Sequence, residues 1–167
     1  MDIQKLNNTL SNIDKPFVAI LIGPPLSGKD TALSKLDVDF EMISRDQLIL
    51  DVHGSDDYTT AFQEVNQKEV DTQLRAQLKD LGNSDKNVVI NMTNLTPKRR
   101  KFNLSFFKNH YKIGIIFPLL EKEEYDRRNA KRVEEENKHI PHYVLTRMIA
   151  SYKPISESEG FDKVISL

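Results

Sequence analysis

The chain has 167 residues, a formal net charge of -1 from 24 Lys+Arg against 25 Asp+Glu, and no cysteine. That length supports a single domain with one real core. The charge balance excludes a protein that coats nucleic acid through bulk charge, though not a local basic groove. The missing cysteine excludes disulfides, cysteine-ligated zinc and thiol catalysis. No apolar run approaches the roughly 20 residues that a bilayer-spanning helix needs. Met1 to Lys15 is polar and lacks the apolar core of a signal peptide. The expectation is a protein of a reducing cytoplasm with no membrane partner. There is no internal repeat and no low-complexity segment.

The first recognisable element is Phe17 to Ile22, apolar and partly β-branched, which predicts a strand buried on both faces. It runs into Gly23, Pro24, Pro25, Leu26, Ser27, Gly28, Lys29, Asp30 and Thr31. The spacing Gly-x-x-x-x-Gly-Lys after a strand is that of a phosphate-binding P-loop. Glycines permit the tight turn that aims successive backbone amides at one anion. Lys29 adds a positive charge for the β- and γ-phosphates of a nucleotide. A helix predicted over about Lys29 to Leu36 presents its positive end to the same anion. A P-loop lysine is ordinarily followed by Ser or Thr, whose hydroxyl holds Mg²⁺. Here Asp30 follows, with Thr31 one position later.

Phe40 to Ile43 predicts a second strand, and Ser44-Arg45-Asp46-Gln47 reads as its end feeding a helix. Ligands sit at that edge of open parallel sheets. Asp46 is therefore a candidate general base and Arg45 a candidate anion contact. Equally, Ser44 is a suitable helix cap and Asp46 a first-turn acid favoured by the helix dipole. From about Asp57 to Leu81, the spacing of Phe62, Val65, Val70 and Leu74 predicts one helical face, on one long helix or two joined ones. Asn87 to Asn91 predicts a third strand, and Thr96 and Pro97 a capped helix running to about Lys108. Lys98-Arg99-Arg100-Lys101 either binds phosphate or solvates that helix.

Ile113 to Phe117 predicts a fourth strand, and Glu121 to about Lys138 a charged helix. Arg128 and Arg132, four apart, share one of its faces. They are either surface ion-pair partners or a clamp on nucleotide phosphates. Pro141 predicts the start of another helix through about Tyr152, with Val144, Leu145, Met148 and Ile149 inward, and Val164 to Ser166 a last strand. The order of elements gives a three-layer α/β/α domain over 1–167, with a parallel sheet of four to five strands and a helical lid over about 121–152.

Read together, the P-loop, Ser44-Arg45-Asp46, Thr93-Asn94-Leu95-Thr96-Pro97-Lys98-Arg99-Arg100, Arg128-Asn129-Ala130-Lys131-Arg132 and Ile140-Pro141-x-x-Val144-Leu145 resemble the phage 5′-hydroxyl polynucleotide kinases, P-loop kinases of adenylate-kinase-like architecture. The resemblance spans nearly the whole chain in the right order. It implies that Lys29 binds donor phosphates and that Asp46 takes the proton from the 5′-OH. It further implies that Arg45, Thr93 and Asn94 border the acceptor and that Arg128 and Arg132 contact ATP phosphates. The implied activity is transfer of the γ-phosphate of ATP, with Mg²⁺, to the 5′-OH of RNA or DNA during end repair. The host cytoplasm is the implied location if the protein is phage-encoded. Nothing matches the Asp-x-Asp-x-Thr of the family's phosphatase domain, because Asp37-Val38-Asp39 is followed by Phe40-Glu41, so the kinase alone is expected.

Three positions depart from the family pattern. Asp30 replaces the P-loop hydroxyl residue, Met92 replaces an aspartate before Thr93, and Ile49 replaces an arginine three residues after Asp46. The last weakens the case for a contact with an acceptor 3′-phosphate. The first two bear on Mg²⁺: a carboxylate lost at 92 is replaced by one at 30, or Asp30 marks a protein with little turnover. Two other functions therefore stand beside the polynucleotide kinase. One is a kinase of a nucleoside or sugar, and the other is a nucleotide-binding module. Oligomeric state is open.

Overall fold

A computed structural model describes residues 1–167. Five parallel strands form one sheet: β1 (Phe17–Ile22), β2 (Glu41–Ile43), β3 (Val88–Ile90), β4 (Tyr111–Ile116) and β5 (Lys163–Ser166), in the order β2-β3-β1-β4-β5. β1 lies centrally, pairing Val18 with Val88 of β3 on one side and Phe17 with Tyr111 of β4 on the other. The chain leaves β1 toward β2 and β3, then crosses to β4 and β5. This reversal beside β1 is the topological switch point at which such sheets bind ligands.

The pleat divides the core in two. Val18, Ile20 and Ile22 point into one layer with Val88 and Ile90. That layer is covered by α3 (Arg45–His53), α4 (Tyr58–Glu64), α5 (Gln67–Gly82) and α6 (Pro97–Leu104). Phe17, Ala19 and Leu21 point into the other with Val89, Ile113 and Ile115. There α1 (Ile3–Ser11) and α2 (Lys29–Leu33) supply Leu6, Leu10 and Ala32. The three-layer α/β/α sandwich with a parallel sheet is thus the observed fold. The remaining helices, α7 (Lys122–Glu136) and α8 (His142–Ser151), cover the stretch expected as a lid.

The structure adds a helix at the amino terminus and corrects several local expectations. The polar amino terminus forms α1, because Asp2 caps it by accepting from the Lys5 amide and Leu6 and Leu10 fall on one buried face. α2 stops at Leu33, and turns carry the chain to Leu36. The single face drawn through Phe62, Val65, Val70 and Leu74 does not exist. Val65 is the extended cap between α4 and α5, and Phe62 is 53% exposed. Nor is the basic run over 98–101 one surface. Arg100 is fully buried, and its guanidinium donates to both carboxylate oxygens of Glu159, at 2.6 and 3.1 Å, and to the carbonyls of Asn94 and Lys153. It ties α6 to the loop carrying the 3₁₀ turn Glu157–Glu159.

Burial alone pushes the Glu159 carboxyl up, but hydrogen bonds from Arg100 and Ser156, with the charge of Arg100, carry it below its usual 4.5. The pair's contribution to stability is therefore full above pH 4.5 and lost as pH falls through the folded-state value. Replacing Glu159→Gln strands the buried guanidinium and should cost about 3–5 kcal/mol in chemical denaturation at pH 7. The gap from wild type should narrow steadily on acidification below pH 4.5.

Candidate functional site

The P-loop leaves β1 at Gly23, whose amide donates to the Thr93 carbonyl at 3.0 Å. A Cβ on Gly23 would lie 2.8 Å from Ser27 Oγ and 2.9 Å from Phe117 Cβ, so only glycine fits. Leu26 (φ 66°) and Gly28 (φ 98°) take left-handed backbone, which curls the loop around its own centre. Into that centre reaches Lys29. Its ammonium donates to the carbonyls of Gly23 (2.9 Å) and Pro24 (2.6 Å), and more weakly to Ser27 Oγ (3.4 Å). Desolvation lowers the Lys29 pKa to about 8, although the carboxylates of Asp30 and Asp46 both act to raise it. Arg132 adds to the lowering. Residues from the P-loop, α3 and α7 thus bear on one ammonium group.

Asp46 lies in the first turn of α3, where Ser44 caps the helix by accepting from the Gln47 amide. The helix cap is real, and the charge of Asp46 is felt at the P-loop lysine. The phenol of Tyr58, at the start of α4, donates to Asp46 Oδ1 at 2.9 Å. Burial, followed by the Asp46 charge and this hydrogen bond, pushes the Tyr58 phenol well above its usual value, so it remains a donor. No spacing signal marks Tyr58, since it is a single tyrosine at a helix start.

The other anticipated residues divide. Arg45 is engaged with α5, donating to Asp71 and Gln67. Thr93 is half-buried and meets the P-loop through its carbonyl. Asn94 is turned inward: it is 1% exposed, has positive φ (47°), donates to the Leu21 carbonyl at 2.8 Å and accepts from Asn103. It is a bolt inside the fold. Arg128 pairs with Glu124 and donates to the Leu26 carbonyl at 2.9 Å, fastening α7 to the P-loop. Arg132 is ion-paired with Glu136 at 3.4 Å. Thr31 is exposed on α2.

Asp30 is exposed at the mouth of the loop, and its carboxylate accepts from the Asn91 side-chain amide at 2.8 Å. The residue opposite Asp30 is therefore Asn91 and not Met92. The pleat decides this: β3 alternates, so position 91 shares the α2 side with Val89, while Met92 packs with Ile90 into the other layer. No three His, Asp or Glu residues gather as a ready-made metal cage. One carboxylate beside a phosphate site suits Mg²⁺, which prefers one or two protein carboxylates plus substrate phosphates.

The P-loop at the switch point of a parallel sheet now has a family. A model of the AAA domain (AAA_33) matches residues 18–155. The chain belongs to that AAA domain family. No curated protein matches the sequence of this AAA domain. Solved structures share its fold. One chain in the structure of the Pnkp1/Rnl/Hen1 RNA repair complex aligns with TM-score 0.66 and 21% identity, over 92% of this chain and 52% of that chain. This AAA domain therefore spans about half of that neighbour. Chaetomium thermophilum Kti12 in complex with ADP-AlF3 aligns with TM-score 0.60 and 13% identity, over 90% and 88% of the two chains. A gluconokinase from Sinorhizobium meliloti 1021 gives 0.53 and 14%, over 91% and 82%. At these identities the likeness is one of fold, the P-loop kinase-like α/β sandwich. No helix of this AAA domain is long and apolar enough to cross a membrane.

Proposed function

We propose that this AAA domain is an ATP-dependent polynucleotide 5′-hydroxyl kinase acting on RNA or DNA ends. The observation that carries this reading is the P-loop at the sheet's switch point, with Lys29 held at its centre and the charges of Asp46 and Arg132 both felt there. Phosphoryl transfer asks little covalent help of a protein; it asks for alignment and charge neutralisation. Lys29 and the amides of the loop from Gly23 to Thr31 neutralise the β- and γ-phosphates. Asp46, steered by Tyr58, accepts the proton of the attacking 5′-OH as its oxygen bonds to the γ-phosphorus and the bond to the ADP oxygen breaks. Arg132 exchanges Glu136 for the phosphates, while Arg128 keeps α7 on the loop. Arg45 and Thr93 border the acceptor. Asp30 would hold Mg²⁺, which would supply charge neutralisation when bound.

Similarity to the chain from an RNA repair complex supports a nucleic-acid acceptor. The gluconokinase on the same fold keeps a small-molecule acceptor as the competing reading. Labelled γ-phosphate offered with a 5′-OH oligonucleotide, a nucleoside, gluconate or no acceptor decides between them. Label on the oligonucleotide is expected; label on gluconate or the nucleoside alone overturns the reading. Asp46→Asn should keep ATP binding and lower turnover roughly a hundredfold or more, as loss of a general base does. Near wild-type turnover would remove Asp46 from the chemistry.

Asp30 makes a second prediction. Two unit charges about 4 Å apart interact by several kcal/mol at an effective dielectric near 20. A carboxylate beside the phosphates should therefore make ATP binding strongly dependent on a divalent cation, and Asp30→Ser should blunt that dependence. Adding Asn91→Asp, which returns a carboxylate from the facing strand, should restore it. Calorimetric titration of ATP with and without Mg²⁺ measures all three proteins. Equal metal dependence in wild type and Asp30→Ser would show that Asp30 stands clear of the phosphates.

A further inference from the structure

With Arg100 turned inside, the basic run keeps Lys98, Arg99 and Lys101 exposed, and the first two line a groove. The fold gives them a third cation from elsewhere. The first turns of α6 and the first half of α5 flank a groove of about 530 Å³, lined by Asp71, Arg75, Thr96, Lys98, Arg99 and Phe102 among others. The guanidinium groups of Arg75 and Arg99 lie 5.1 and 5.8 Å from the centre of the same Phe102 ring. The electron-rich ring face offsets part of their mutual repulsion. Asp71, the groove's acid, is already engaged by Arg45. Arg75, Lys98 and Arg99 have no carboxylate partner within 4.0 Å. Three uncompensated cations in one concave site, on a chain of net charge -1, form a local anion trap.

The groove also opens beside the reactive edge. Arg45, which grips its Asp71 wall, immediately precedes Asp46. Thr96 ends the segment that begins at Thr93, whose carbonyl anchors Gly23. A strand whose 5′ end lies at Asp46 can therefore continue toward α5 and α6. We propose that this groove binds backbone phosphates of the acceptor strand downstream of its 5′ nucleotide, which makes an extended phosphodiester chain the substrate class. The proposal rests on the polynucleotide reading and specifies it. Spread cations and one aromatic ring suit a repeating anionic backbone and carry no base-edge readout.

The test compares wild type with Arg75→Gln/Lys98→Gln/Arg99→Gln, both checked for unchanged thermal melting and ATP affinity. Acceptors are a 5′-OH single-stranded decamer, ribo and deoxy, and a 5′-OH dinucleotide. The KM for the decamer should rise at least about tenfold in the variant, and by at least tenfold more than that for the dinucleotide. Anisotropy of a labelled decamer, which needs no turnover, should show the same loss. Each phosphate released from a protein cation lowers the salt slope of single-strand binding by about 0.7, so the triple variant should lose roughly 2 from that slope. Equal KM, affinity and salt slope in the two proteins would overturn the groove. Decamer binding that depends on the three cations without any transfer to a nucleic acid would support the groove and overturn the kinase reading.

Discussion

A lysine ammonium held in a loop of backbone carbonyls sets the terms for the rest of this structure. Lys29 gives up water and receives two carbonyls and a distant hydroxyl in return. That exchange leaves the charge under-compensated, which is why its pKa falls to about 8 despite two nearby carboxylates. A phosphate entering the loop restores what desolvation removed. The groups that gather around Lys29 follow from the same need. Acids at 30 and 46 steady the cation, and Arg132 holds an ion pair with Glu136 that solvent keeps weak.

Positioning depends on parts remote from the charge. The β1 residues alternate between two apolar layers and are sealed on both faces, so the strand that launches the P-loop cannot tilt or slip. Asn94 bolts the adjoining segment to β1 through the Leu21 carbonyl. Arg100 and Glu159 close the same corner from below with a buried ion pair. Arg128 fastens α7 to the Leu26 carbonyl, so the helix that carries Arg132 is docked on the loop it is proposed to serve.

The sequence made contiguous features legible. β1 and the P-loop are one uninterrupted pattern, and the capped starts of α3 and α6 follow from Ser44, Thr96 and Pro97. What it hid were facts of orientation. Asn94 and Arg100 sit in a polar, basic segment, and nothing local shows that one bonds to β1 and the other finds an acid 59 residues away. Met92 was the wrong partner for Asp30 because pleat parity, invisible in a motif, assigns it to the far layer. Tyr58 and Arg75 join their sites only through the packing of α4 and α5, which no spacing rule encodes.

The Lys29 side chain reports directly whether Asp46 and Arg132 share one electrostatic site with it. Its titration, followed by NMR of selectively labelled lysine in wild type, Asp46→Asn and Arg132→Ala, should give about 8 in wild type. Asp46 raises that value and Arg132 lowers it, so the midpoint should fall in Asp46→Asn and rise in Arg132→Ala. A Lys29 that titrates near 10.5 in all three proteins would show that the ammonium is solvated and the three groups stand apart.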